Sequence, residues 1–375
     1  MSIRIYTMTH KTFDVPPDSM YCPLQVGSAL HEDLGYTRDD TGENISAQNG
    51  YYSELTGLYW IWKNVTDIDY VGTAHYRRYL MNEKGCIFSK EEYLELLQQY
   101  DLITTKRVVL NNSYHFGFAA NHNIQALDMT GEVIREMYPA YYPAFEQLVN
   151  GTETYFGNLL VTTKARFDAY CAWLFSIFAE VQKRIDMETD KDAYHRRVFG
   201  FISEFLLLVW VTVNQLHVLE CKVAMIGEKA ETREIKEQLA AYIRQHQIEE
   251  AKDYFLKQHR VRPDILMEAS DITGELHLAM QILATASEEK RRNLPGVLAI
   301  SDDFAELVPL FAGLNRTVTH YANGQEQKED RAFLQKSKLS DSAVAIAVAI
   351  LPNSRMDKQE LLQKILADKE QEKWN

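Results

Sequence analysis

The chain of 375 residues lacks most of the features that assign a function quickly. Its four cysteines, Cys22, Cys86, Cys171 and Cys221, are scattered without the paired spacing of a zinc site. They read as reduced, mostly buried thiols of a cytoplasmic protein. Long apolar runs are missing: the longest, 205–213 and 343–351, are far too short to span a bilayer. Met1-Ser2-Ile3-Arg4-Ile5-Tyr6 lacks the charged-then-apolar order of a secretion signal and reads as a strand. Neither a Walker-type nor a dinucleotide-type glycine loop occurs, and no zinc-protease helix motif is present. Positive charge is in deficit, with 40 Lys and Arg against 53 Asp and Glu and a formal net charge of −13. So acidic a chain is a poor partner for nucleic acid or anionic lipid over a broad surface. Any anion site must be local and built from a few positioned cations.

What is present is an alternation of strand-like and helix-like segments. Residues 3–8 alternate as a strand and run into the polar Thr9-His10-Lys11. A long polar loop covers 35–50, a length that is usually functional or mobile in a compact domain. An aromatic-rich helix is predicted over 51–63, a strand over 70–74, a helix over 90–99 and a strand over 102–105. A further strand is expected over 155–161, and helices over 167–184 and from 200 past Trp210. This alternation indicates an α/β layered domain, 1–228. From 229 to 375 Glu, Lys, Gln and Ala dominate at helical spacing, which predicts an α-helical appendage. Two short helices over 232–258 break near His246-Gln247, and Tyr242, Ala251, Phe255 and Pro263 fall at tetratricopeptide spacing. The next 34 residues do not repeat that pattern. Residues 357–375 read as a charged terminal helix.

The chemistry concentrates in Tyr70-Val71-Gly72-Thr73-Ala74-His75-Tyr76-Arg77-Arg78-Tyr79, where an apolar strand ends in a cationic and aromatic cluster. Ligands of open α/β sheets sit beyond the carboxyl ends of strands, and arginine there suits a phosphate-bearing anion. If the strand continues, alternation sets His75 and Arg77 on one face and Tyr76 and Arg78 on the other, so that one pair faces a given ligand, unless the strand has ended and the chain has turned. Where many nucleotide-sugar enzymes carry a metal-binding Asp-x-Asp, this chain has His-Tyr-Arg-Arg, so cations rather than a divalent metal would meet a departing diphosphate. The competing structural reading pairs these arginines with acidic loop residues.

Five further features stand out. Asp39, Asp40 and Asn44 in the long loop suit ribose or sugar hydroxyls, although Asp40-Thr41-Gly42 is also plain turn chemistry. Tyr52, Tyr59, Trp60 and Trp62 suit base stacking or, at helical spacing, a core. Glu54 falls where a helix dipole favours a carboxylate. Asn158 is an amide within an apolar strand and needs partners. Glu204, ahead of an intensely apolar helix, should carry a raised pKa or a specific partner. That suits a general base acting on an acceptor hydroxyl; the alternative is a carboxylate capping the helix start.

Thr9-His10-Lys11, Arg38-Asp39-Asp40-Thr41-Gly42-Glu43-Asn44-Ile45, Tyr52-x-Glu54-x-Thr56-Gly57-x-Tyr59-Trp60-x-Trp62-Lys63-Asn64 and Gly72-x-x-His75-Tyr76-Arg77-Arg78-Tyr79 occur in this order. Together they resemble a bacterial family of capsular and exopolysaccharide biosynthesis proteins, long described only as a domain of unknown function and later associated with glycosyltransferase activity. Gly157-Asn158, Trp173-Leu174-Phe175 and Gly200-Phe201-Ile202-Ser203-Glu204 resemble its later blocks, so the likeness spans about residues 3–225. The family pattern has Arg after the last glutamate, where this chain has Phe205.

The resemblance implies a GT-A-like, Rossmann-like nucleotide-sugar domain without Asp-x-Asp. It implies transfer of a hexosyl unit, galactofuranose or a related sugar, from a UDP-sugar to a glycan, glycolipid or glycoprotein acceptor in surface-polysaccharide synthesis. The expected nucleotide-sugar contacts are Thr9, His10, Lys11, Asp39, Asp40, Asn44, Tyr76 and Asn158. The expected catalytic set is Glu204 as base, with His75, Arg77 and Arg78 on the diphosphate. No metal or other cofactor, no nucleic acid and no transmembrane segment are expected, and attachment at the inner membrane face would be peripheral. The helical region would serve oligomerisation or a protein partner. The alternative function is a non-catalytic nucleotide-sugar reader with a partner-binding tail. A metal-dependent phosphohydrolase using the acidic loop ranks below it, because clustered ligands are lacking.

Overall fold

The computed structural model describes residues 1–188, 193–266, 270–294, 296–352 and 356–370. They divide into two compact units, Met1–Gly227 and Glu228–Asn375. In the first unit the strands are β1 (Ile3–Thr9), β2 (Tyr21–Gln25), β3 (Thr37–Arg38), β4 (Tyr70–His75), β5 (Arg78–Met81), β6 (Leu102–Thr105), β7 (Val108–Val109), β8 (Glu153–Thr154), β9 (Leu160–Thr163) and β10 (Val218–Met225). β3, β2, β1 and β4 run parallel in that order. β4 then divides its pairing: residues 70–72 meet β9 antiparallel, and His75 meets Arg78 of β5. β5 pairs with β10, β10 with β6, and β6 with β9, so the ladder returns to β4.

β1 is buried at every position but Arg4, as an interior parallel strand should be. Its side chains alternate between layers. Ile3 and Ile5 join a core with Tyr21, Ile103 and Val161, packed by the helix Lys90–Leu96. Tyr6 and Met8 join the larger core, filled by the helices Leu55–Asn64, Lys164–Arg184 and Val198–Val213. The sheet thus lies between helical layers, the mixed α/β arrangement the sequence predicts. Gly72 sits where β4 is squeezed between its neighbours. A Cβ there would lie 2.6 Å from Ile5 Cδ1 and 2.7 Å from Val161 Cγ2.

Three expectations need correction. The aromatic helix is broken: one turn, Asn49–Tyr52, ends at Ser53 with φ 50° and ψ −132°, and the helix resumes at Leu55. Residues 155–159 are not a strand, because Gly157 (φ 100°) and Asn158 (φ 50°) turn the chain just before β9. Apolar composition there reflects burial in a turn, not extension. Glu204 lies inside the helix Val198–Val213, in its second turn, rather than ahead of it, so it caps no helix start. β2 escapes the sequence reading because Pro23 counts against a strand.

The second unit, over its described residues, is made of the helices Ala230–Arg244, Ile248–Val261, Glu275–Arg291, Phe304–Asn323, Lys328–Lys336, Asp341–Ile350 and Lys358–Glu370, joined by turns and 3-10 segments. Leu239, Phe255, Leu276, Ile282, Phe311, Leu314 and Tyr321 form its core. Of the tetratricopeptide-like positions, Ala251 and Phe255 are buried and Tyr242 is half-buried; the side chain of Pro263 lies outside the described set. So do the last five residues of the terminal charged segment.

Candidate active site

β1 and β4 end side by side. Met8 lies opposite His75, and Tyr76 N donates to Met8 O at 3.0 Å. Thr9 is buried and closes a turn: its Oγ1 accepts from Lys11 N at 3.0 Å and donates to Lys11 O at 2.5 Å. His10 and Lys11 are exposed. The His10 ring meets Tyr76 edge-on with centroids 5.4 Å apart, and Phe13 lies 6.0 Å from Tyr76 and 5.8 Å from Tyr36. These rings give the strand ends an aromatic rim able to pack a base.

The basic cluster is a turn, not a continued strand. His75 and Arg78 are direct cross-strand partners, joined by Tyr76-Arg77. Directly opposed residues project to the same face. The turn therefore sets His75 with Arg78, where alternation along an unbroken strand sets it with Arg77. His75 Nδ1 accepts from Arg77 N at 3.3 Å, which leaves Nε2 to carry the proton of the neutral ring. The Arg77 guanidinium stands 5.6 Å from the Tyr76 ring centroid. Arg78 is half-buried, and its buried Nε has no hydrogen-bond partner among the described residues.

Beside Arg78 lies the Gly157-Asn158 turn. A Cβ on Gly157 would lie in ordinary contact with Arg78 Nη1, at 3.7 Å, so the guanidinium reaches the turn; the φ of 100° and a 2.9 Å approach to Leu159 Cδ1 are what call for glycine. Thr73 Oγ1 donates to Asn158 O at 2.8 Å, and Thr105 Oγ1 to Phe156 O at 3.1 Å. The Asn158 amide is fully engaged: Nδ2 donates to Glu54 Oε1 at 2.9 Å and Gly200 O at 3.1 Å, and Oδ1 accepts from Ser203 Oγ at 2.9 Å. The side chain is 6% exposed, so it orders the turn. Left-handed φ at Ser53, Gly157 and Asn158 converges on this one place, since Gly200 packs against Ser53 at 3.3 Å from its own would-be Cβ. Backbone strain of this kind persists only where surrounding contacts enforce it.

Glu204 completes the group. Its Oε1 accepts from Gly157 N at 2.7 Å. Desolvation, then the neighbouring Glu54 carboxylate, push its carboxyl up to about 8, against the Gly157 hydrogen bond and the Arg78 and Arg197 charges that pull it down. Arg197, half-buried, lies over the Tyr194 and Phe201 rings at 4.9 and 5.6 Å. The ionised fraction grows as pH rises towards about 8, and a carboxylate with that proton affinity, held by a backbone N–H and flanked by guanidinium groups, can then take a proton from a hydroxyl.

The acidic loop is occupied with its own folding. Asp39 is fully buried; Oδ2 accepts from Gly27 N at 2.9 Å, and Oδ1 from Ser28 N at 3.0 Å and Ser46 Oγ at 2.5 Å. Asp40 pairs with Arg38 at 2.6 Å, and this bidentate contact lowers its pKa. Asn44 Nδ2 donates to Asp40 O and Gly42 O at 3.1 and 3.0 Å. Trp60 Nε1 donates to Thr41 O at 3.0 Å, and the Trp62 ring stacks on Phe175 at 5.9 Å. The structure thus gathers Arg78, Asn158 and Glu204, and gathers His10 with Tyr76, while Asp40 and Asn44 make their contacts within the loop and Asp39 ties it to Gly27 and Ser28 after β2. The sequence reading leaves out two members of the central group. It assigns Glu54 only to a helix dipole, yet Glu54 makes no capping bond with its side chain. It gives Arg197 no role, although Arg196-Arg197 so close to Glu204 is visible in the sequence.

Residues 4–215 match the family described as Domain of unknown function (DUF4422). The chain belongs to this family. Among solved structures, this DUF4422 chain is similar to the WbbM bifunctional glycosyltransferase in its apo form, at 29% identity and a TM-score of 0.56. The match covers 61% of this chain and 46% of that one, so it spans under half the WbbM chain. No curated protein matches the sequence. The first unit is therefore a mixed α/β fold similar to that of a glycosyltransferase. No helix among the described residues is long and apolar enough to cross a membrane.

Proposed function

We propose that the first unit is a glycosyltransferase that moves a hexosyl unit, of the galactose or galactofuranose class, from a UDP-sugar to a glycan acceptor during surface-polysaccharide synthesis. The observation that carries this reading is the convergence of Arg78 and Glu204 on the Gly157-Asn158 turn at the end of β4. Transfer of a sugar from a nucleoside diphosphate needs positive charge where the leaving group gathers negative charge, and a base for the incoming hydroxyl. Arg78 and Arg77, with His75 beside them, supply the first; Glu204 supplies the second. His10 and Tyr76 offer ring faces to the uracil, and Thr9 and Lys11 line the same strand end. Asn158, with its own hydrogen-bonding capacity used internally, acts by fixing the turn that presents the Gly157 amide to Glu204. Asp39, Asp40 and Asn44 act by shaping the loop between β2 and the aromatic helix. The similarity to a glycosyltransferase structure supports the reaction class, and the imidazole and guanidinium groups at the turn favour charge neutralisation without a divalent ion.

The test is transfer and donor hydrolysis with a panel of UDP-sugars, with and without EDTA. The expected outcome is turnover with one UDP-hexose that EDTA leaves intact. Activity abolished by EDTA and restored by manganese would overturn the metal-independent mechanism. Calorimetric UDP binding with no turnover on any sugar would overturn the enzymatic reading in favour of a nucleotide-sugar-binding module. The cytoplasmic setting, peripheral membrane attachment and a partner-binding role for the helical unit belong to the same proposal; the absence of a membrane-crossing helix among the described residues is compatible with them.

A further inference from the structure

Glu204 does not act alone in the fold. Glu54 reaches the same turn from the opposite segment: consecutive residues of that turn hold the two carboxylates, Gly157 through its N–H to Glu204 and Asn158 through its amide to Glu54. The carboxylate of Glu54 is placed by unusual means. Ser53, immediately before it, has φ 50° and ψ −132°, a conformation that side-chain-bearing residues seldom adopt. The break in the aromatic helix at this residue is what turns Glu54 inward instead of along the helix. Gly200, one turn before Glu204, packs directly on Ser53, so both segments are fixed against each other. Among the described residues, charged or titratable groups that act on Glu204 come from four elements. Glu54 comes from the broken helix, Arg78 from β5, Arg197 from the residue ahead of the helix that holds Glu204, and the buried Tyr114 hydroxyl from the helix Tyr114–Asn121.

We propose that Glu54 is a positioning residue whose charge, clamped by Asn158, tunes the proton affinity of Glu204. This rests on the reading of Glu204 as the base. A like charge held nearby disfavours ionisation of its neighbour. Burial alone already raises Glu204, and the Glu54 carboxylate adds to it, while Arg78 and Arg197 oppose it. When a donor diphosphate arrives, Arg78 is drawn to the phosphate and its restraint on Glu204 weakens. Glu54 and Asn158 stay in place, so Glu204 becomes more basic as the acceptor hydroxyl needs a proton acceptor. The proton moves from that hydroxyl to Glu204, the acceptor oxygen bonds to the anomeric carbon as the bond from that carbon to the diphosphate oxygen breaks, and the leaving charge remains on the phosphate beside the arginines.

The experiment combines a direct titration with a rate profile. Side-chain carboxyl carbons of the full chain are followed by ¹³C NMR from pH 5 to 10 in wild type, Glu54→Gln and Glu54→Asp, with Glu204→Gln identifying the Glu204 signal. Glu54→Gln should lower the Glu204 midpoint by about one pH unit, the order expected when one neighbouring like charge is removed. Glu54→Asp, which keeps the charge, should restore most of the shift. The rising limb of kcat/KM against pH should move to lower pH in Glu54→Gln by the same interval, with a lower plateau. A merely structural Glu54 would reduce activity at every pH without moving either midpoint, and that result would overturn the proposal. A Glu204 signal that shifts in a chain with no transferase activity would leave the coupling standing and overturn the transferase reading instead.

Discussion

Replacing Glu204 with glutamine separates the physics of the site from its chemistry. The Glu204 carboxyl is raised from an ordinary 4.5 to about 8 by burial and by Glu54. A raised folded-state pKa means that the native protein holds this proton more tightly than the unfolded chain does. Below about pH 4.5 both states are protonated, and the stabilisation is fully present. Between 4.5 and 8 the unfolded chain ionises while the native protein does not, so stability falls as pH rises. Above about 8 the native carboxyl ionises too, and the loss is complete. At 1.36 kcal/mol per unit the whole interval corresponds to roughly 3–5 kcal/mol. Glutamine keeps the shape and does not titrate, so Glu204→Gln avoids this loss. Four of the five tryptophans, Trp60, Trp62, Trp173 and Trp210, lie in the first unit, so tryptophan fluorescence during urea unfolding, read in a Trp374→Phe background, follows that unit. At pH 5 the variant should match the wild type within about 1 kcal/mol, and by pH 9 it should be the more stable by several. Transfer activity should meanwhile fall by about 10²–10⁴, the range for loss of a general base. A stability difference that stays constant from pH 5 to 9 would refute the desolvated, neighbour-raised carboxyl on which the site depends.

Other substitutions test the remaining parts. Arg78→Ala removes the guanidinium beside Gly157 and should lower kcat by about 10²–10³ with a native circular-dichroism spectrum; wild-type turnover would remove its role on the diphosphate. Asp39→Ala leaves the Gly27 and Ser28 amides and the Ser46 hydroxyl without their acceptor. Each orphaned buried group costs about 1–3 kcal/mol, so limited proteolysis should cut the 26–46 loop much faster. Unchanged protease resistance would mean that other contacts order that loop.

The sequence carried the α/β alternation, the strand start of β4, the two helices about His246 and the residue types of the site. These follow from local rules: hydrophobic period, turn residues and charge at a strand end. It also marked Glu204, because a carboxylate beside so apolar a helix needs an explanation. It misread Asn158 as a strand residue and gave no sign that Asp39 holds the backbone of Gly27 and Ser28, since composition does not tell a buried turn from an extended strand, or show which amides a loop carboxylate will meet. Both distinctions depend on where the hydrogen bonds end, and those of Asn158 and Asp39 run to residues up to 104 positions away.

The alternation of strands and helices in the first unit and the all-helical run after it were therefore determined by the sequence alone. The pairing of His75 with Arg78, the meeting of Glu54 with Glu204 and the approach of Arg78 to Gly157 were decided only by the tertiary structure. The physical reason is that a residue's charge and hydrogen-bonding capacity are local properties. The field it feels is set by whichever distant segments the sheet and its packed helices bring alongside it.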